Sequence, residues 1–224
     1  MKKTIIILLS LMTLLNLDAA TCYTGLDGGL TLNSVVAAKG YRNYEYDMAL
    51  GFKTSLTVVT AFNDNLGLET GLSLYARNYS YSQKVAADTE EKQLNFDLVV
   101  QNGFLTLPVM FRFSIPRGDF DFYASLGGFA GLWLYGSRSG SVRNGNDIIE
   151  DVNEKTDLAL YNRIEAGICA KLGADINFGS FKVYAEGEYD FSLTSMNKSQ
   201  KYETYRVHNS TFCATLGILW RIGR

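Results

Sequence analysis

Residues 163–178 read Arg-Ile-Glu-Ala-Gly-Ile-Cys-Ala-Lys-Leu-Gly-Ala-Asp-Ile-Asn-Phe. The even positions are apolar throughout, and the odd ones are charged, polar or small. A helix cannot sort residues this way, because its faces repeat every 3.6 residues; a strand must, because its side chains alternate. The apolar face runs 14 steps, from Ile164 to Phe178. At about 3.3 Å per step that is roughly 46 Å of strand, and a tilt of about 45° turns it into a rise of roughly 33 Å. Strands of soluble domains usually have about five or six residues. This one is sized for the apolar layer of a bilayer.

The same period recurs. Phe212, Ala214, Leu216, Ile218, Trp220 and Ile222 share a face, as do Leu105, Leu107, Val109, Phe111, Phe113 and Ile115. Across the chain the pattern predicts eight strands near 22–33, 47–62, 66–79, 103–115, 120–135, 159–178, 181–194 and 210–223. Three connections are tight turns: Asn63-Asp64-Asn65, Pro116-Arg117-Gly118-Asp119 and Gly179-Ser180. The other four, 34–46, 80–102, 136–158 and 195–209, read as long polar loops. Short turns at one end and long loops at the other are the plan of an all-β, eight-stranded antiparallel up-and-down transmembrane β-barrel.

Composition agrees. The 224 residues carry 21 Lys+Arg against 23 Asp+Glu, are 47% hydrophobic, and include 21 Gly and only 2 Pro. A charge-rich disordered chain is excluded, and without a basic excess no nucleic-acid partner is expected. Lys2 and Lys3, the apolar run from Thr4 to Leu15, and Ala19-Ala20 read as a signal peptide over 1–20, cleaved near Ala20. That leaves 21–224 as the barrel domain. Thr21 stands where a lipidation signal has a small residue before its Cys, so Cys22 is not expected to carry lipid. Cys169 and Cys213 fall on second-neighbour strands, about 10 Å apart, and are expected as free thiols.

With the apolar face outward, the other face fills the lumen. The expected polar network is Lys53, Glu69, Arg77, Arg112, Arg163, Glu165, Lys171, Asp175, Glu186, Glu188, Asp190 and Arg221, with Asp27, Asp121 and Lys182 on the same face. Eight strands leave room for side chains but little for a channel, and buried charges must pair. Aromatic residues near strand ends, among them Phe120, Phe178, Phe181 and Trp220, suit girdles at the membrane surfaces.

Three segments carry a family resemblance: Gly67–Tyr75, Leu105–Phe113 and Tyr184–Thr194. On these the chain resembles the small outer-membrane β-barrel proteins of bacteria, in the style of the PorT-like family and the OmpX/OmpA group. The resemblance implies an integral outer-membrane protein of eight strands; it supplies neither a substrate nor catalytic residues. Pro108 lies in the middle segment. A proline lacks a ladder donor, so in a barrel without edges it is expected to need a bulge.

Little else reads as chemistry. His208-Asn209-Ser210 has the spacing of a His-x-Ser pair, but no acid follows it, and Glu203 is the nearest upstream. A serine nucleophile needs a base that a third group orients, so no enzyme is expected. Glu186, Glu188 and Asp190 are expected to pair with lumen cations rather than do acid–base work. The acidic stretch 136–158 lacks the spacing of a calcium loop. No metal or cofactor is expected. The function expected is structural or surface interaction, with outer-membrane lipid around the barrel and an extracellular partner, which the sequence does not name, at the four loops. Two alternatives stay open: a small pore or hydrophobic-substrate carrier of the OmpW type, and a soluble, secreted, lipocalin-like ligand-binding barrel.

Overall fold

The computed structural model describes residues 21–37, 44–86, 93–144, 147–197 and 206–222. The proposed signal peptide and its cleavage point fall outside these residues. The described strands are β1 (Thr21–Ala37), β2 (Tyr44–Ala61), β3 (Leu66–Ala76), β4 (Tyr79–Ala86), β5 (Gln93–Arg117), β6 (Phe120–Asn144), β7 (Asp147–Lys155), β8 (Ile164–Asn177), β9 (Phe181–Ser192) and β10 (Val207–Arg221). All pairings are antiparallel, and β10 closes on β1 from Tyr23↔Arg221 to Ala37↔Val207. Two ring positions hold a strand in two pieces. β3 and β4 both lie between β2 and β5, while β7 and β8 both pair with β6. The ring therefore has eight positions.

The barrel is inside out relative to a soluble protein. Leu172 is 71% exposed, Phe111 69% and Leu216 68%, while Glu69, Asp175 and Arg77 are buried inside. An apolar outer wall around a polar interior is the arrangement for lipid, and it removes the lipocalin-like alternative. Among the described residues no helix is long and apolar enough to cross a membrane. The short-turn end bears the aromatic side chains Phe120, Phe122, Phe178 and Trp220, all exposed, and Phe178 stacks on Phe181 at 5.0 Å. Gly118 and Gly179 take positive φ there, 70° and 83°, as tight turns require.

At the other end the strands run past their expected limits. Much of 80–102 and 136–158, expected as loops, is β-structure: β4 pairs with β5 from Tyr79↔Val100 to Ala86↔Gln93, and β6 with β7 from Ser137↔Lys155 to Asn144↔Asp147. Parts of 34–46 and 195–209 belong to β1, β2 and β10. The physical reason is that alternation records a strand with one wet and one apolar side. Beyond the apolar band β7 meets water on both faces, while in β5 and β6 the inward residues Leu98, Val100 and Val142 are themselves apolar and buried, so the polar–apolar alternation fades while the hydrogen-bond ladder continues. Conversely, the strand expected from 159 starts at Ile164, after a 3-10 turn at Leu158–Leu160 capped by Asp157.

Pro108 is accommodated without a bulge. The β3–β5 register is unchanged from Thr70↔Val109 to Ser73↔Thr106, with the pairs between them missing. The Thr70 hydroxyl donates to the Pro108 carbonyl at 2.8 Å. The irregularity in β5 lies instead between Gly103 and Phe104.

Candidate functional site

The lumen is built in three tiers by the inward positions of the strands. Nearest the short-turn end, Tyr23, Val59, Tyr123, Tyr184 and Leu219 pack together. At the opposite end Val35, Tyr75, Phe104, Trp133, Met196 and Val207 form a second apolar plug. Phe104 stacks on Trp133 at 5.7 Å, and Tyr161 meets Trp133 edge-on at 5.3 Å. Between the plugs lies the charged tier.

That tier ties facing walls together. Arg77 stands at the break between β3 and β4 and is 0% exposed. Its guanidinium pairs with Glu165 on β8 and, at 2.9 Å, with Asp190 on β9. It also lies 4.7 Å from the ring centre of Tyr75 and 5.2 Å from that of Phe129, a cation–π setting. Lys53 on β2 pairs with Glu188 on β9, which accepts the Tyr75 hydroxyl at 2.8 Å. Lys171 donates to Glu69 at 2.7 Å and to Glu186 at 3.0 Å. Arg112 holds Asp175 at 2.7 Å, with its guanidinium 3.4 Å from the Tyr123 ring centre. Lys182 bridges Asp175 at 2.9 Å and Asp121 at 2.5 Å.

Ten of the twelve residues expected in the lumen network are thus brought together: Lys53, Glu69, Arg77, Arg112, Glu165, Lys171, Asp175, Glu186, Glu188 and Asp190. Arg163 and Arg221 are not. Arg163 precedes β8, is exposed, and donates from Nε to the Trp133 carbonyl at 3.2 Å. Arg221 ends β10 at the rim, exposed, with Tyr23 Oη at 3.3 Å. At a strand's end no facing wall exists to bury a side chain, whatever its parity.

Their absence changes the charge balance. Among the described residues eight carboxylates (Asp27, Glu69, Asp121, Glu165, Asp175, Glu186, Glu188, Asp190) share the lumen with five cations (Lys53, Arg77, Arg112, Lys171, Lys182). Asp27 is held by hydroxyls instead: Thr57 at 2.9 Å and Tyr184 at 2.8 Å donate to its Oδ2. Sequence reasoning missed these neutral donors, along with Tyr123, which gives its hydroxyl to Glu186 at 2.8 Å, and Asn209, which gives its amide to Glu165 at 2.9 Å. Their inward parity was the available signal.

His208 and Ser210 are engaged with separate partners. Ser210 Oγ lies 3.0 Å from Tyr189 Oη, and His208 Nδ1 lies 3.1 Å from the Ser192 carbonyl. Among the described residues no three His, Cys, Asp or Glu are placed to hold a metal ion. Cys169 and Cys213 are buried free thiols.

No curated protein sequence matches the chain. Among solved structures, the outer membrane protein OprG from Pseudomonas aeruginosa is 12% identical, with a TM-score of 0.53, over 91% of this chain and 97% of that one. Ail, the attachment invasion locus protein of Yersinia pestis, solved with the heparin analogue sucrose octasulfate, is 15% identical, with a TM-score of 0.43, over 90% and 99%. Neisserial surface protein A is 11% identical, with a TM-score of 0.43, over 89% and 98%. The first likeness shows a shared fold. The outer membrane protein beta-barrel domain matches residues 22–198, most of the chain. With an apolar outer wall, a ring of eight positions and that match, the chain belongs to the family of outer membrane protein beta-barrel domains and is a protein of the bacterial outer membrane.

Proposed function

We propose that this barrel is a non-conducting, non-catalytic scaffold that presents a rigid β-structure to other molecules outside the cell. The observation that carries the reading is the sealed lumen. Arg77 and Met110 are 0% exposed, Asp175 is 0% exposed, and an apolar plug lies on each side of them. A path for ions or a hydrophobic substrate past Arg112 and Glu165 would have to break several buried ion pairs at once, each costly to open. That weighs against the OmpW-type alternative.

The presenting surface is the long-connection end, which in this class of barrel faces outward. There β2, β4, β5, β6 and β7 continue as one sheet. β7 is its free edge, paired among the described strands with β6 alone, and it exposes Ile148 and Ile149 at 57% each. An exposed edge of unpaired backbone groups accepts an added strand from a partner. Contacts would fall within 34–46, 80–102, 136–158 and 195–209, with outer-membrane lipid around the wall below.

Two measurements test this. Purified protein in a planar bilayer is expected to give no single-channel steps; regular steps would overturn the sealed-lumen reading. Cells expressing the full chain are expected to bind host or neighbouring-cell surfaces more than cells expressing a chain lacking 147–155. Equal binding would overturn presentation through this edge.

A further inference from the structure

The outward face of β10 changes chemistry at one point. From the short-turn end it runs Ile222, Trp220, Leu216 and Phe212, all exposed and apolar. The ten steps from Ile222 to Phe212, at about 3.3 Å each and tilted about 45°, rise roughly 23 Å, close to the full height of a barrel's apolar band. The next outward positions are Ser210, His208 and Arg206. They stand at the level of the lipid headgroups. The Ser210–Tyr189 hydroxyl pair, 3.0 Å apart on the outer wall, marks the boundary.

Just above it lies an open pocket of about 620 Å³, lined by Arg206 and His208 together with Asn162, Thr194, Ser195 and Leu193. Among the described residues no carboxylate lines it. Leu193, 60% exposed, gives it an apolar lip. Arg206 is exposed and makes no hydrogen bond or ion pair with the other described residues. The His208 ring is fixed from two sides. It stacks on Phe191 with ring centres 6.2 Å apart, and its Nδ1 meets the Ser192 carbonyl. A carbonyl only accepts, so Nδ1 carries the proton and Nε2 remains as the ring's other polar atom.

A guanidinium and an oriented imidazole, with hydroxyls and an amide at headgroup height beside an apolar lip, and no acid or ion-pair partner among the described residues, fit a phosphate whose carrier continues into the apolar layer. We propose that this pocket binds the terminal phosphate of an outer-leaflet lipid. Arg206 is the cationic contact, because a guanidinium matches phosphate geometry. Thr194 and Asn162 can donate to the phosphate oxygens, and His208 Nε2, an acceptor while Nδ1 holds the ring proton, takes the P–OH of a singly protonated phosphate. The leaflet assignment rests on the outward direction of the long-connection end given above.

The test uses the full chain in nanodiscs of phosphatidylcholine containing a minor share of phosphatidic acid, whose terminal phosphate models the ligand. Lipid retained on mild extraction is read by native mass spectrometry. The wild type is expected to retain phosphatidic acid several-fold over its share of the bilayer. Arg206→Ala is expected to fall to that share, and His208→Asn to fall part of the way, while Arg143→Ala, an exposed cation on the β6 extension, stays at the wild-type level. Retention equal in wild type and Arg206→Ala overturns the proposal, as does an equal loss in Arg143→Ala, which would mark a diffuse charge effect. Added inorganic phosphate is expected not to displace the lipid. Displacement at low concentration overturns the lipid assignment in favour of a free anion. Orientation is read separately, by labelling Asp151→Cys on intact cells with an impermeant maleimide. Failure there refutes the outward direction without altering the nanodisc result.

Discussion

Tyr184 lies directly over Gly217, its neighbour across the β9–β10 ladder: a Cβ at position 217 would come within 2.4 Å of the tyrosine ring. The missing side chain is what lets the ring lie flat in the lumen and hand its hydroxyl to Asp27. Gly173 and Tyr123 repeat the device on β8 and β6, where the hydroxyl reaches Glu186.

Gly217→Val should therefore damage the barrel from inside. The ring would have to leave its place, Asp27 would lose a donor, and the lower plug would loosen. The expected cost is at least that of an overpacked core, about 1–3 kcal/mol. Urea unfolding in vesicles checks this, with Gly28→Ala as the comparison, since a Cβ there meets nothing closer than 3.8 Å. Equal effects at both positions would refute the argument.

Arg77→Ala should leave Glu165 and Asp190 without their shared cation. Breaking a buried pair by removing one partner costs roughly 3–5 kcal/mol. Arg77→Lys should recover only part of this, because an ammonium lacks the planar fork that reaches two carboxylates and lies against Tyr75. Trp133, in the adjoining plug, reports unfolding by fluorescence.

Asp27→Asn should behave oppositely. Asp27 has hydroxyl donors and no cation within ion-pair distance among the described residues, in a lumen where carboxylates already outnumber cations. Removing its charge is expected to leave the urea midpoint unchanged or to raise it. A loss of more than about 1 kcal/mol, beyond the usual scale of one neutral hydrogen bond, would show that the charge is needed.

Closure of β10 on β1 predicts resistance to detergent. Unboiled protein from the outer-membrane fraction should migrate differently from boiled protein on an SDS gel. A chain lacking 147–155 should keep that shift, because β7 pairs with β6 above the closed ring and contributes no side chain to the plugs or the charged tier. Loss of the shift on deletion would make β7 part of the folding unit.

How far the sequence could be read depended on where each residue sits in the wall. Glu186, Glu188 and Asp190 alternate with outward Ala185, Gly187 and Tyr189 inside the apolar band, and their inward direction was legible. Arg163 has the same parity relative to Glu165 but lies before β8, where parity no longer implies burial. β7, with the sequence Asp-Ile-Ile-Glu-Asp-Val-Asn-Glu-Lys, has water on both faces and a register shift at its pairing with Val142 and Arg143, so no period of two survives in it. The break at Arg77-Asn78 was hidden for a different reason. β3 ends beside the irregularity at Gly103/Phe104 of β5, where Arg77 reaches Glu165 and Asp190, partners 88 and 113 residues away in the chain.

The length of β5 and β6 has a mechanical consequence. Each strand has 25 residues. At about 3.3 Å per residue and a tilt near 45°, that is a height of roughly 56 Å, about 30 Å of it beyond an apolar band about 25 Å tall. The hairpin is thus a stiff mast whose foot is clamped by the lumen's ion pairs. A flexible tether must surrender its backbone freedom when it is caught, at about 1–2 kcal/mol for each residue ordered. The mast has already done so on folding, and even sparse contacts at its tip can hold.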